Sequence, residues 1–255
     1  VALVEEILTG GNMTSVVKVG DTVRRAAGPW TPSVHALLDH LRRRGFDRAP
    51  EALGLDEQGR EVISLLPGAA AHYPLPAHVL SDRTLIAVAE LLRDYHEATA
   101  DFRPPDDAVW QLPAHEPVEV LCHNDFAPYN LMFEGDRLSG VIDFDTVSPG
   151  PRVWDLAYTA YRFVPLTDPD NHDVPYPGLA EQRRRLTLFV AAYGMDEITP
   201  GQVAATAVLR LREMVEFIVT RAGNGDPAQQ RVLELGHHLL YERDIAYLEA
   251  NRLAD

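Results

Sequence analysis

The chain has 255 residues, 46% of them hydrophobic and 24% charged, a balance that suits a folded globular protein and excludes a disordered one. Its formal net charge of −15, from 38 acidic and 23 basic residues, argues against a surface that neutralises nucleic-acid phosphate or anionic lipid; it suits a cationic small molecule, or serves solubility alone. A single cysteine, Cys122, precludes an internal disulfide and fits a reducing cytoplasm.

The opening VALVEEILTG has no basic leader and is soon interrupted by acids, so it reads as neither signal peptide nor membrane span. Val1 to Leu8 and Ser15 to Val19 read as strands joined through a turn that contains Gly10 and Gly11. Two adjacent glycines serve an ordinary hairpin or let backbone N–H groups approach phosphate oxygens. Thr22 to Arg25 is a third strand, whose alternation places Arg25 with Val23 and sends Arg24 to the opposite face. A helix starts at Pro29 to Ser33, with a cap expected at Thr31, and runs to Gly45 on a stripe of Val34, Leu37, Leu38 and Leu41. It carries no glutamate; His35 and Asp39 share a face. Ala52 to Asp56 and Glu61 to Leu65 read as a second hairpin, and Leu66-Pro67-Gly68 marks a boundary between lobes.

Ser81 caps a helix to about Thr99, with His96 on its apolar face as a core histidine. The proline-rich stretch from Asp101 to Pro117 is a connector. An apolar run, Val118 to Cys122, ends in His123-Asn124-Asp125; Asn130 follows, and a second run, Leu138 to Ile142, delivers Asp143. Beyond Asp155 come a short helix, an exposed acidic loop from Pro165 to Pro177 with Asp168, Asp170 and Asp173, and helical segments at Leu179 to Tyr193, Pro200 to Ala222 and Pro227 to Leu253. No repeat or basic nucleic-acid patch is present.

Two strand ends and a loop thus carry oxygen ligands of the type magnesium takes. Phosphoryl transfer from a nucleotide needs a carboxylate that orients and deprotonates the attacking hydroxyl, and hard oxygen ligands for magnesium beside the phosphates. Asp125 fits the first role, and Asn130 and Asp143 the second. An unperturbed aspartate titrates near about 3.9, so Asp125 is expected to be ionised at neutral pH. A zinc site at Cys122, His123 and Asp125 fails because adjacent strand residues point to opposite faces. A serine hydrolase fails because G-x-S-x-G is absent and Ser139 falls in an expected hairpin turn.

The pattern resembles the kinase catalytic loop H-x-D-x-x-x-x-N followed by a magnesium-binding aspartate. With I-D-F-D at Ile142 to Asp145 and PGPRVWDLA at Pro149 to Ala157, it is closest to the aminoglycoside phosphotransferase family. That resemblance implies an α+β, protein-kinase-like bilobal fold. A small β-rich nucleotide-binding lobe with one helix would span 1–66, and a larger, mainly helical catalytic and substrate-binding lobe 67–255. It implies MgATP or GTP as donor, and as acceptor a small-molecule hydroxyl, aminoglycoside-like or otherwise, with no nucleic-acid or membrane partner and a monomeric or homodimeric state. Gly10 and Gly11 then belong to a phosphate lid. Arg25 stands where the family's phosphate-gripping lysine is expected, with Asp39 as its first candidate partner and His35 as the second. Ser64 to Leu66 would meet adenine. His123 shapes the loop, Asp145 lies near the metals or caps the next turn, and Asp155 braces the loop from behind. The alternative is a weakly active or inactive nucleotide-binding protein of the toxin-immunity type.

Overall fold

The computed structural model describes residues 5–8, 16–171 and 176–251. Within them the chain forms two compact units: one takes in the segments Val1–His72 and Leu91–Arg152, and the other Tyr73–Glu90 and Val153–Asp255. No helix among the described residues is long and apolar enough to cross a membrane.

The first unit holds a five-stranded antiparallel sheet made of β1 (Glu5–Leu8), β2 (Val16–Val19), β3 (Thr22–Ala26), β4 (Ala52–Leu55) and β5 (Arg60–Ser64), in the order β1-β2-β3-β5-β4. In β2, Val17 and Val19 are buried between less buried neighbours, the period-2 pattern of a sheet with one covered face. Helix α1 (Thr31–Arg43) connects β3 to β4 and buries Val34, Leu37, Leu38 and Leu41 at helical spacing. Its N-cap position is Trp30, not Thr31; the Thr31 hydroxyl instead accepts the Gly28 N–H at 2.9 Å, within the turn before the helix.

Two smaller sheets complete this unit. β6 (Ala69–Ala70) pairs with β8 (Leu131–Glu134), which pairs with β9 (Arg137–Val141). β7 (Val120–Cys122) pairs with β10 (Ser148–Gly150). Ser139 lies inside β9 and donates to the Met132 carbonyl at 3.0 Å; the hairpin turn is at Gly135, where φ is +60°. Two glycines are required by close approach. A Cβ on Gly140 would sit 2.6 Å from the Arg48 carbonyl oxygen, the group that accepts the Val141 N–H, and one on Gly68 would sit 2.5 Å from the Phe133 carbonyl oxygen.

Helix α2 (Asp82–Thr99) places its first half in the second unit and its second half in the first. Ser81 caps it, its hydroxyl accepting the Thr84 N–H at 3.2 Å, and His96 is fully buried. The second unit is otherwise helical: α3 (Arg152–Phe163), α4 (Leu179–Tyr193), α5 (Pro200–Gly223), α6 (Pro227–Glu234) and α7 (His237–Asn251). The single C-terminal segment expected from Pro227 to Leu253 is two helices, because the chain turns at Gly236 with φ +75°, a conformation that ends a helix. The core of this unit includes Leu156, Phe163, Leu186, Phe189, Tyr193, Val203, Leu211 and Leu248.

Candidate active site

The loop after β7 is held by its own polar groups. Asn124 has φ +65°, an uncommon conformation that asparagine tolerates better than most residues. From there its Nδ2 donates to the Thr146 carbonyl at 2.8 Å and the Ser148 hydroxyl at 2.9 Å. The Thr146 hydroxyl donates back to the His123 carbonyl at 2.9 Å, and the Ile142 N–H donates to the Asn130 carbonyl at 2.9 Å. The segments 123–130 and 142–148 are therefore stapled side by side.

His123 is fully buried, with the Phe126 and Phe144 rings edge-on at centroid distances of 5.7 and 5.0 Å. Its Nδ1 accepts the Asp125 N–H at 3.3 Å, so Nε2 carries the proton and donates to the Ile142 carbonyl at 3.0 Å. A neutral imidazole thus ties the loop after β7 to the end of β9. The Asp125 carboxylate accepts the Tyr129 hydroxyl on Oδ1 at 2.7 Å and Asn130 Nδ2 on Oδ2 at 2.8 Å. Asn130 Nδ2 also donates to the Asp125 carbonyl at 3.0 Å. With both amide hydrogens so engaged, the side-chain oxygen is the part of Asn130 left to meet a cation.

Asp143 also has positive φ, +65°, in the left-handed region that few non-glycine residues occupy. Asp143 and Asp145 are bridged by one guanidinium: Arg25 donates from Nη1 to Asp143 Oδ1 at 2.7 Å and from Nη2 to Asp145 Oδ1 at 2.6 Å. Its third edge, Nε, donates to Glu61. Glu61 is buried in β5, and its other oxygen meets His35 Nε2 at 3.0 Å. Arg25 and Glu61 are direct cross-strand partners in the β3–β5 register. None of the three acids that pair with Arg25 comes from α1, where Asp39 is exposed. His35 reaches the cluster through Glu61. Arg24 faces away and pairs with Asp56 at 3.5 Å.

The electrostatics follow from burial and these pairs. Burial pushes the Asp145 carboxyl up to about 6; Arg25 opposes this, and the neighbouring acids Asp143 and Glu61 add to it. Burial also works against the charged forms of Arg25 and Glu61. It is outweighed for Arg25 by Asp145, Asp143 and Glu61, which raise the guanidinium pKa, and for Glu61 by His35 and Arg25, which hold the carboxyl below its ordinary range. Three carboxylates around one guanidinium leave an excess of negative charge that suits a further cation. Asp143, Asp145 and the Asn130 amide offer hard oxygens of the kind magnesium takes, and the seated guanidinium shows that the two carboxylates accept positive charge. Among the described residues no group of three or more His, Cys, Asp or Glu is placed to hold a metal ion.

The other expected positions fall as follows. Gly10 and Gly11 lie outside the described residues. The Ser64 N–H goes to the Glu51 carbonyl at 3.0 Å and its hydroxyl accepts the Glu51 N–H at 2.9 Å, while the Leu65 N–H goes to the Asp21 carbonyl at 2.9 Å. Leu66 packs its Cδ1 near Gly140. Asp155 is fully buried in the first turn of α3, in the second unit, and its carbonyl accepts the Thr159 hydroxyl at 2.9 Å. Of the acidic loop, Asp168 and Asp170 are described and Asp173 is not; the Asp168 carboxylate accepts the Asp170 N–H at 2.8 Å.

Sequence reading missed Glu61, Asn124 and Tyr129. For Glu61 the available signal was an acid running into the apolar pair Val62-Ile63; for Asn124, an asparagine directly after an apolar run, a residue type enriched in left-handed backbone. Nothing in the local pattern singles out Tyr129.

Three comparisons bear on this arrangement. A model of the phosphotransferase enzyme family APH matches residues 107–193, which include the stapled loops. The trifolitoxin immunity protein of Rhizobium leguminosarum bv. trifolii is 32% identical over 204 residues, covering 77% of each chain. A homoserine kinase of Beijerinckia indica subsp. indica is 26% identical over 235 residues, covering 74% of this chain and 68% of that one. The solved structure of the amicoumacin kinase hAmiN in complex with AMP-PNP, Ca2+ and Ami matches with a TM-score of 0.68 at 12% identity, over 94% of this chain and 87% of that one, which establishes the expected α+β, protein-kinase-like fold. The extended similarity to the immunity protein, with the family match across the catalytic loops, places the chain in the aminoglycoside phosphotransferase (APH) family of phosphotransferase enzymes.

Proposed function

We propose that the protein transfers the γ-phosphoryl group of ATP or GTP to a hydroxyl of a small molecule, as an enzyme of the cytoplasm. The observation that carries this reading is the stapled pair of loops, which sets the Asp125 carboxylate beside Asn130 and ties that loop to the segment bearing Asp143 and Asp145. Residues 1–66 would serve as the nucleotide lobe and 67–255 as the catalytic and acceptor lobe. Since the N–H groups of Ser64 and Leu65 are already engaged, Leu66 is the position we assign to the adenine edge.

In the reaction the acceptor oxygen attacks phosphorus, the bond from phosphorus to the bridging oxygen of the departing diphosphate breaks, and the hydroxyl proton passes to Asp125. Tyr129 and Asn130 hold that carboxylate in place from either side, one on each oxygen. Asn130 and Asp143, with Asp145 beside them, would hold Mg2+. When bound, that ion supplies positive charge against the phosphate oxygens. Arg25 adds a fixed charge, which guanidinium retains at any physiological pH.

The test is a transfer screen with radiolabelled ATP against antibiotics, amino alcohols, homoserine and sugars, run on the wild type and on Asp125→Asn. We expect magnesium-dependent labelling of at least one hydroxyl compound. Asp125→Asn should lower its turnover by roughly 10²–10⁴-fold while keeping the fold and the nucleotide-induced thermal shift. Equal turnover by Asp125→Asn would remove Asp125 as the base.

A second reading, a nucleotide-binding immunity protein with little catalysis, is favoured by the arginine at the lysine position and by the name of the 32% identical relative. Nucleotide binding with no labelling across the screen would select it.

A further inference from the structure

The three edges of the Arg25 guanidinium are not equivalent. Nε is bound to Glu61, whose side chain is 1% exposed and which the sheet register holds opposite Arg25, while His35 fixes its second oxygen. Nη1 and Nη2 are bound to Asp143 and Asp145, whose side chains are 47% and 25% exposed. One contact is anchored inside a β-ladder, and the other two face a solvent-accessible pair of acids. In a helix-borne ion pair, a shift of the helix breaks the contact. Here both partners sit on hydrogen-bonded neighbouring strands, so the pair persists as long as the sheet does.

We propose that Arg25 is a tethered counter-ion of the metal-type carboxylates, with Glu61 as its pivot, so that a divalent cation enters with nucleotide phosphate instead of ahead of it. The proposal rests on the phosphotransfer reading for the identity of the incoming anion. Nη1 and Nη2 neutralise Asp143 and Asp145, so a free divalent ion meets carboxylates already paired. A triphosphate offers the same two nitrogens oxygens of higher charge, in a geometry that a guanidinium fork matches. When the η nitrogens change partners, Asp143 and Asp145 are released to the metal that arrives on those phosphates, and the Nε contact keeps the guanidinium from leaving. Glu61 is on this account a positioning residue, acting through Arg25.

Mn2+ binding to the nucleotide-free protein, read from the free-ion EPR signal, tests the counter-ion directly. The proteins compared are wild type, Arg25→Lys and the double variant Arg25→Met with Glu61→Gln, which removes both halves of the buried pair together. We expect the double variant to bind Mn2+ about tenfold or more tightly than wild type, because the guanidinium in direct contact with the two carboxylates is gone, an effect that the simultaneous loss of the Glu61 charge offsets only in part, with Arg25→Lys between them. Equal affinities in wild type and the double variant overturn the proposal. The pivot is tested with Glu61→Gln alone, by calorimetry with a non-hydrolysable ATP analogue. Affinity about tenfold below wild type in a variant with wild-type circular dichroism supports it, and unchanged affinity overturns it. The Mn2+ comparison contains neither nucleotide nor turnover. A chain that transfers no phosphoryl group therefore fails the functional reading in the labelling screen, while the counter-ion stands or falls by the EPR signal alone.

Discussion

At the scale of single residues, the chemistry depends on where charge is buried and what answers it. Glu61 is an acid in the sheet core, ionised because His35 and Arg25 donate to it. Its folded pKa lies below the unfolded value. The stability it contributes is therefore present above the unfolded carboxylate pKa of about 4.3 and is lost as pH falls through the folded value. Glu61→Gln should cost about 2 kcal/mol at pH 7, less than the loss of an isolated buried pair because Arg25 keeps two other carboxylates. The deficit should shrink in urea melts below about pH 4. A deficit that stays constant with pH would mean that Glu61 is not the ionised partner. The proximity of Asp125 and Asn130 was legible in the sequence, since they bond to each other within one loop and their spacing is set by local chain path. The partner of Arg25 was not. Asp39 and Glu61 are both acids in the same region, and only strand register decides which one faces the arginine.

At the scale of elements, the second unit shows the same division. The helices over Leu179–Tyr193 and Pro200–Gly223 follow their apolar periodicity closely, while the break at Gly236 interrupts a segment whose interleaved charges read as one helix. What the break permits is visible at Asp244 on α7. This fully buried carboxylate accepts the Tyr161 hydroxyl at 2.7 Å, the Asn171 amide at 2.8 Å and the Asp168 N–H at 2.7 Å. It fastens α7 to α3 and to the start of the acidic loop, which turns Asp168 from a free rim charge into part of a structural turn. Asp244→Ala would leave three donors without their acceptor, so we expect a loss of about 3 kcal/mol in chemical denaturation. A loss under about 1 kcal/mol would mean that water replaces the carboxylate.

At the scale of the whole molecule, the family assignment makes the chain one of the phosphotransferase enzyme family and leaves the acceptor open. The similar proteins are named as a trifolitoxin immunity protein, a homoserine kinase and an amicoumacin kinase, three different tasks on one fold. Binding of the donor is the property common to both functional readings. ATP with magnesium at about 100 times its Kd should stabilise the protein by about 2.7 kcal/mol, seen as a rise in Tm, and Asp125→Asn should retain the rise. Absence of any nucleotide-dependent shift would count against the kinase and the immunity reading alike.

The sequence by itself determined the family, because the residues that carry the resemblance lie on two strand ends and the short segments after them, where composition and spacing report geometry directly. It also determined most helices and strands, through periods of 3.6 and 2 that burial imposes on any chain. The tertiary structure decided what surrounds that centre. It placed Glu61 rather than a helix acid against Arg25 and closed the guanidinium over Asp143 and Asp145. These contacts join residues 36, 118 and 120 positions apart. Pairing over such distances is set by sheet register and by the packing of whole elements, and neither leaves a periodic trace in the sequence.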